Sequence, residues 1–401
     1  MKVLWIKSDF LLPADTGGKI RSKCLLFELA EHCQITYLSY APPDLEKRWF
    51  EEMQQAGITP VVVPRAEERK AGLRFLLRVL SKITSTKPYI VNKYITAAMR
   101  QQIRSLLEQQ RFDVVVCDFL EMAWCADLLN DLPHVLFEHN VETMIWRRYC
   151  EVDTNLFKKL YFAREKKRME RFEREACANF DLVLTVSEQD NQLLRDSFDL
   201  KRSLTIPTGV DIVYFQPRQG EIDNRLVFSG SMDWLPNIDA FWWFYRSIFP
   251  LISKDTNDIS LTVVGRRPPE DIVAAGRQDQ SVEITGTVAD IRPHVASGQL
   301  FVLPLRIGGG TRIKIYEAMA MKKCVLSTTI GAEGLPVTDG VDIVLADTEK
   351  QFAGKVRELL HDDNKRNRIA AAGYRLVTEN YSWRQAALIL QQGLQSVVAG
   401  S

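Results

Sequence analysis

The chain lacks several features that would have placed it at once. No run of about 18 apolar residues, the length a helix needs to cross a membrane, occurs anywhere. Met1 is followed directly by Lys2 and the short stretch Val3-Leu-Trp-Ile6, too brief for the apolar core of a secretory signal, so a cytoplasmic protein is expected. A surplus of one charge is missing too: 52 Lys and Arg stand against 51 Asp and Glu, which removes the basic footprint of a nucleic-acid binder. The seven cysteines are odd in number, form no Cys-x-x-Cys pair and have no histidine spaced for zinc. They read as reduced thiols, and no metal site is expected. Also absent are Gly-x-Gly-x-x-Gly, the Walker loop, the Gly-x-Ser-x-Gly elbow, His-Glu-x-x-His and Asp-x-Asp. Dinucleotide oxidoreductases, P-loop NTPases, serine hydrolases, zincins and metal-dependent GT-A transferases each lose their signature with them.

What is present is a soluble α/β pattern. The 401 residues are 46% hydrophobic, enough for a real core and, at roughly 150 residues per domain, for two or three domains. Short apolar runs alternate with longer amphipathic stretches, the rhythm of parallel sheets covered by helices. Strands are predicted at Val3–Lys7, Ile35–Tyr40, Pro60–Pro64, Val114–Asp118, Val135–Glu138 and Leu182–Ser187. After Ser203 the rhythm restarts, with strands predicted at Leu226–Gly230, Leu261–Gly265, Val282–Gly286, Phe301–Leu305, Val325–Thr328 and Ile343–Ala346. The join falls near Ile206-Pro-Thr-Gly-Val-Asp211, where Pro and Gly favour a turn. Two Rossmann-like sheets with a cleft between them are expected. Ligands of such sheets sit at the carboxyl ends of strands, so site residues should follow strands.

The most informative segment runs from Phe301 to Ala320. A predicted strand ends at Leu305, Gly308, Gly309 and Gly310 allow close backbone approach, and a helix opens near Thr311 with Arg312 and Lys314 in its first turn. Cations there oppose the helix dipole unless an anion such as a diphosphate occupies the site. Glu317, three residues beyond Lys314 on the same face, is within reach of a ribose diol. A solvent-facing Lys-Glu pair is the bland alternative, and from these residues alone both stay open.

The segment resembles the retaining GT-B glycosyltransferases of family 4, whose second domain carries a Gly-rich loop followed by a helix with a Glu-Ala-Met-Ala core. Supporting matches are Asp15-Thr-Gly-Gly-Lys-Ile-Arg21, Glu138-His-Asn-Val-Glu142, Ile206-Pro-Thr-Gly-Val-Asp211, Phe228-Ser-Gly-Ser-Met-Asp-Trp-Leu-Pro-Asn237 and Tyr381-Ser-Trp383. The resemblance implies a first domain of residues 1–204 plus 382–401 on the acceptor side, with the last helix crossing back to it. It implies a second domain of residues 205–381 that binds the nucleotide sugar. Gly17, Gly18, Gly230 and the loop Gly308–Thr311 would then approach the donor, Arg312 and Lys314 neutralise its diphosphate, and Glu317 hold the ribose. Gly286 and Val288 would flank the nucleobase. Two departures stand out. Gly309 occupies a position where the family often has a Glu contacting the donor sugar, and Ser231-Met-Asp-Trp234 stands where it often supplies an Arg and a Lys. Arg312 and Lys314, with Arg266 as a weaker candidate, would replace that charge.

His139 follows a predicted strand, where a neutral imidazole hydrogen-bonds a sugar hydroxyl or the acceptor; a satisfied core histidine is the alternative. Asp118 and Glu121 follow another strand and are assigned to the acceptor side. Ser187-Glu-Gln-Asp190 reads as a helix cap and the Trp242–Tyr245 aromatic run as core packing. Residues 65–82 hold 6 basic and 2 acidic side chains and residues 158–174 hold 8 and 3, so either offers peripheral contact with an anionic membrane, against the alternative of a solvated face.

The function these readings imply is metal-independent transfer of a hexosyl-type sugar, with retention and without a cofactor, from a UDP- or GDP-sugar to a hydroxyl of a glycan, lipid-linked or small-molecule acceptor, as in polysaccharide biosynthesis. A non-catalytic GT-B subunit that binds a sugar nucleotide, a GT-B nucleotide-sugar epimerase and an inverting transferase remain alternatives.

Overall fold

A computed structural model describes residues 1–14, 16–66, 85–129, 132–152, 156–307 and 313–400, with residues 148–152 and 156–160 described by backbone alone. Most of the 65–82 segment therefore lies outside the described residues. The chain divides into two compact units, Met1–Pro207 with Ala386–Ser401, and Thr208–Gln385.

In unit 1 seven parallel strands, β1 (Lys2–Lys7), β2 (Gln34–Ala41), β3 (Ile58–Pro64), β4 (Val114–Asp118), β5 (His134–Phe137), β6 (Leu182–Thr185) and β7 (Ser203–Thr205), lie in the order β3-β2-β1-β4-β5-β6-β7. Both faces are covered, so the strands read as continuous apolar runs: Val114 to Cys117 are all fully buried. The first helix, Gly17–Ala30, opens on Thr16, whose hydroxyl accepts the N–H of Lys19. Ser187 caps the helix Glu188–Ser197 in the same way through the N–H of Asp190.

Unit 2 repeats the plan. Strands β8 (Arg225–Ser229), β9 (Ser260–Val264), β10 (Val282–Gly286), β11 (Leu300–Leu303), β12 (Cys324–Ser327) and β13 (Val344–Leu345) lie in the order β10-β9-β8-β11-β12-β13. Its core gathers Phe228, Phe241, Phe244, Phe301 and Phe352, and the aromatic run packs against it, Trp243 and Phe244 buried and Trp242 and Tyr245 half-buried. In both sheets the order reverses beside the first strand, at β1/β4 and at β8/β11, where open α/β sheets bind ligands.

The closing helix, Trp383–Val398, begins in unit 2, where Ser382 bridges to Val210, and from Ala386 belongs to unit 1. Its Leu390 and Leu394 are fully buried. A Cβ at Gly393 would meet Leu204 Cδ2 at 2.7 Å, so the helix lies directly on β7.

Among the described residues no helix is long and apolar enough to cross a membrane. On the helix Leu156–Asn179, Met169 and Phe172 are buried while Arg171 and Arg174 pair with Glu175 and Glu170 one turn away, a self-neutralised outer face. Six cysteines, at 24, 33, 117, 125, 177 and 324, are free thiols.

Candidate functional site

The reversal point of unit 1 carries a buried charge network. Register sets Lys7, the last residue of β1, beside Asp118, the last of β4, and Asp118 beside Phe137, the last of β5. Lys7 is 1% exposed and Asp118 fully buried, so neither charge is tolerable alone. Lys7 Nζ stands 3.1 Å from Asp118 Oδ2, which also accepts from Trp5 Nε1 (2.9 Å) and Ser22 Oγ (2.7 Å), while Oδ1 faces His139 Nε2 at 2.7 Å. Burial pushes this carboxyl up, but Lys7, His139 and the hydroxyl of Ser22 outweigh it and hold Asp118 well below the usual carboxylate range.

His139 is lowered to about 4 by burial, aided by Lys7 and Arg21 against the pull of Asp118, so its ring is neutral. An ionised Asp118 only accepts, which puts the proton on Nε2. Nδ1 then faces the guanidinium of Arg21, a pure donor, at 3.4 Å. Phe119 completes the arrangement. A left-handed backbone (φ 77°) turns its ring flat onto the imidazole, centroids 3.9 Å apart, with the Lys7 ammonium 3.9 Å from the ring centre. The same ring explains Gly18, where a Cβ would come within 2.7 Å of Phe119 Cζ; Gly17 opens onto free space.

Two sequence assignments change here. Asp118, expected to meet the acceptor, is enclosed with both oxygens occupied and serves as the anchor of the network. His139 follows its strand as expected, but with both ring nitrogens engaged by Asp118 and Arg21 neither is left for a sugar hydroxyl. Glu121 is the half-buried member of the set, accepting from Ser8 Oγ at 2.9 Å, its carboxyl raised by burial. Beyond it lies a group of carboxyls that sequence reasoning missed. Buried Glu173 accepts the N–H groups of Glu142 (2.7 Å) and Thr143 (3.0 Å), and burial with neighbouring carboxyls pushes Glu142 up to about 8.

In unit 2 the reversal point gathers Gly230, Lys314 and Glu317. Lys314, on the helix Ile313–Ala320, sends its ammonium to Ser229 O (2.9 Å) and Asn237 Oδ1 (3.2 Å) across Gly230. A Cβ at Gly230 would lie 2.8 Å from that ammonium and 2.7 Å from Asn237 Nδ2, so a side chain here would displace both groups. The carboxyl of Glu317, one turn on, accepts no hydrogen bond among the described residues; burial pushes it up to about 7 against the opposing pull of Lys314. Arg306, following β11, grips Asp239 at 2.6 and 3.1 Å and ties that loop to the helix Leu235–Trp243. Gly308, Gly309, Gly310, Thr311 and Arg312 lie outside the described residues.

The loops after β9 and β10 are also set by local contacts. Arg266 lies beside Asp233, its Nε 3.7 Å from Oδ2. Gly286 has a left-handed φ of 68° with open space where a side chain would be, and Val288 packs half-buried on the core. Arg292 bonds Asp290 through Nε and Nη2, both at 2.8 Å, and lies 3.7 Å from the centre of the Tyr214 ring, fixing the Thr287–Asp290 turn. Among the described residues no group of three His, Cys, Asp or Glu side chains converges to hold a metal ion.

Comparison with known proteins agrees with this plan. Residues 47–214 match the family described as Glycosyltransferase Family 4, and residues 223–362 match Glycosyl transferases group 1. An uncharacterized 44.6 kDa protein in the cps region of Klebsiella pneumoniae is 21% identical over 294 residues, 70% of this chain and 74% of that one. Among solved structures, sucrose-phosphate synthase from Thermosynechococcus elongatus is similar with a TM-score of 0.74 at 14% identity, covering 100% of both chains. Anabaena HepE in complex with UDP has a TM-score of 0.70 at 14% identity, covering 99% of this chain and 100% of its own. Two sheets of one strand order, each recognised by its own family profile, establish that the chain belongs to the GT-B glycosyltransferases, with a family 4 first domain and a group 1 second domain.

Proposed function

We propose that the protein transfers a sugar from a nucleotide-diphosphate donor to an acceptor hydroxyl, with retention of anomeric configuration. The observation that carries this reading is the helix Ile313–Ala320, which presents the Lys314 ammonium beside Gly230 and, one turn on, the carboxyl of Glu317, which accepts no hydrogen bond among the described residues. An ammonium suits a phosphate oxygen and a carboxylate suits a ribose diol. Anabaena HepE, of the same fold, binds UDP and UDP-glucose, which favours a uridine donor here, with GDP-sugars as the comparison.

In this reading Arg312, Lys314 and the amides of Gly308 to Thr311 stabilise the leaving diphosphate, meeting charge that develops in the transition state without a metal or cofactor. Gly17 and Gly18 let the first domain's backbone approach the donor, and Gly286 and Val288 flank the base. Glu121 is the acceptor-side candidate. The leaving phosphate takes the proton from the acceptor hydroxyl, so no protein base is required, and His139 keeps the Phe119 platform in place. The acceptor is a glycan, a lipid-linked sugar or a small alcohol.

Donor identity is tested by thermal shift with UDP-, GDP- and ADP-sugars, where a ligand at 100 times its dissociation constant adds about 2.7 kcal/mol. Turnover of the stabilising donor is then compared in wild type, Arg312→Ala and Lys314→Ala. The reading expects each variant to fall about a hundredfold without unfolding. Near-wild-type turnover in both removes it.

A further inference from the structure

Asp233 follows β8, and Arg266 and Arg267 follow β9. The two strands pair from Arg225 opposite Ser260 to Ser229 opposite Val264, and the ladder continues past their ends through Gly230 N to Val264 O and Met232 N to Arg266 O, both 2.9 Å. A Cβ at Gly265 would stand 1.8 Å from Gly230 O, so no side chain fits between the loops. They leave the sheet as one piece and carry three charges within three residues of Gly230 and Gly265, while Gly230 itself borders the Lys314 ammonium.

These charges meet without closing on one another. Asp233 Oδ2 lies 3.7 Å from Arg266 Nε and 3.6 Å from Arg267 Nη1, ion-pair distances too long for hydrogen bonds. Arg266 Nε is buried and has no hydrogen-bond partner among the described residues. Elsewhere in the unit Arg306 closes on Asp239 and Arg292 on Asp290 with two short bonds each. Here one carboxylate is shared by two guanidiniums and bonds neither, leaving the corner net positive. Arg267 is also held with a left-handed φ of 50°, a conformation a non-glycine residue keeps only where its surroundings impose it, and its side chain is 76% exposed.

We propose that Arg266 and Arg267 bind the diphosphate of the donor and that Asp233 is the counter-anion that occupies them until the diphosphate arrives. This rests on the donor reading above. A diphosphate carries more negative charge than a carboxylate and offers oxygens for forked bonding by guanidinium, so it displaces Asp233, which in turn weakens the resting affinity. Arg266, already a sequence candidate for this charge, is in this proposal joined by Arg267 and held in check by Asp233.

The test is calorimetric titration of the whole chain with UDP, GDP, uridine and guanosine at low and moderate salt. Arg266→Ala and Arg267→Asn, the latter keeping a residue that accepts the left-handed backbone, are each expected to weaken the preferred diphosphate about tenfold and the matching nucleoside less than twofold. Asp233→Asn is expected to tighten the diphosphate severalfold and to steepen its salt dependence. Unchanged diphosphate binding in both arginine variants, or weaker diphosphate binding in Asp233→Asn, overturns the proposal while leaving the donor reading intact. Wild type that binds UDP and GDP no better than the nucleosides overturns both.

Discussion

Asp118 Oδ1 lies 2.7 Å from Nε2 of His139 while its Oδ2 lies 3.1 Å from the Lys7 ammonium, so one buried carboxylate joins the ends of β1 and β4 to the segment after β5. Asp118→Asn keeps the shape and removes the charge, stranding Lys7 in the interior. Loss of about 3–5 kcal/mol is expected in urea unfolding, the magnitude for breaking a buried pair from one side. The double variant Lys7→Met/Asp118→Leu, which removes both charges of the pair, should lose clearly less than Asp118→Asn. Equal losses would show that packing, not charge, governs the position.

The neighbouring glycines at the start of the first helix separate structure from function. Gly18→Ala drives a methyl into the Phe119 ring, pinned between His139 and Lys7, and is expected to destabilise by about 1–3 kcal/mol. Gly17→Ala meets nothing within 4 Å and should leave the melting temperature in place. If backbone approach to the donor occurs at Gly17, that variant loses turnover at unchanged stability; unchanged turnover removes Gly17 from the donor site.

Glu317 sets a pH dependence of binding. Its carboxyl, raised by burial to about 7, must be ionised to accept both hydroxyls of a ribose. Affinity for the stabilising nucleotide is therefore expected to fall as pH drops from about 8 to about 6. Glu317→Gln should bind more weakly at pH 8 and show a flat profile, and an unchanged slope in that variant would dismiss Glu317 as the titrating group.

Glu142 sets a pH dependence of stability with a definite sign. Its folded pKa, raised to about 8, means that between roughly pH 4.5 and pH 8 the folded state keeps a proton the unfolded state has lost. That contribution is present at low pH and disappears as pH rises through the window. His139, lowered to about 4, acts oppositely, its contribution being lost as pH falls from about 6.5 toward 4. Glu142→Gln isolates the first effect: unfolding free energies at pH 5 and pH 8 should show the variant gaining on wild type at the higher pH. A constant difference would contradict the assignment.

Much of the architecture was legible because buried parallel strands are written as apolar runs. Val114–Asp118 and Val282–Gly286 were predicted with the bounds observed. The three residues Ser203–Thr205 of β7 escaped because two are polar and the run is shorter than any periodicity can mark. The network around Asp118 was hidden for a different reason. A lysine ending a strand reads as a solvent contact, and only the lateral register of β1, β4 and β5 turns Lys7 inward against Asp118. The pairing of Asp233 with Arg266 and Arg267 was equally invisible, since it spans more than thirty residues and depends on the continued β8/β9 ladder. By contrast Lys314 and Glu317 were readable, because helix periodicity alone sets them one turn apart.

The closing helix has a consequence for the birth of the molecule. Unit 2 is one uninterrupted stretch, Thr208–Gln385, and needs no segment from outside it to complete its core. Unit 1, begun first, still lacks Leu390 and Leu394 and the backbone that covers Leu204 and Leu182. The earlier half therefore keeps β6 and β7 uncovered until the very last residues are available, and its maturation is tied to the far end of the chain. A stop codon ahead of residue 386 would thus injure the half of the protein encoded farthest from it.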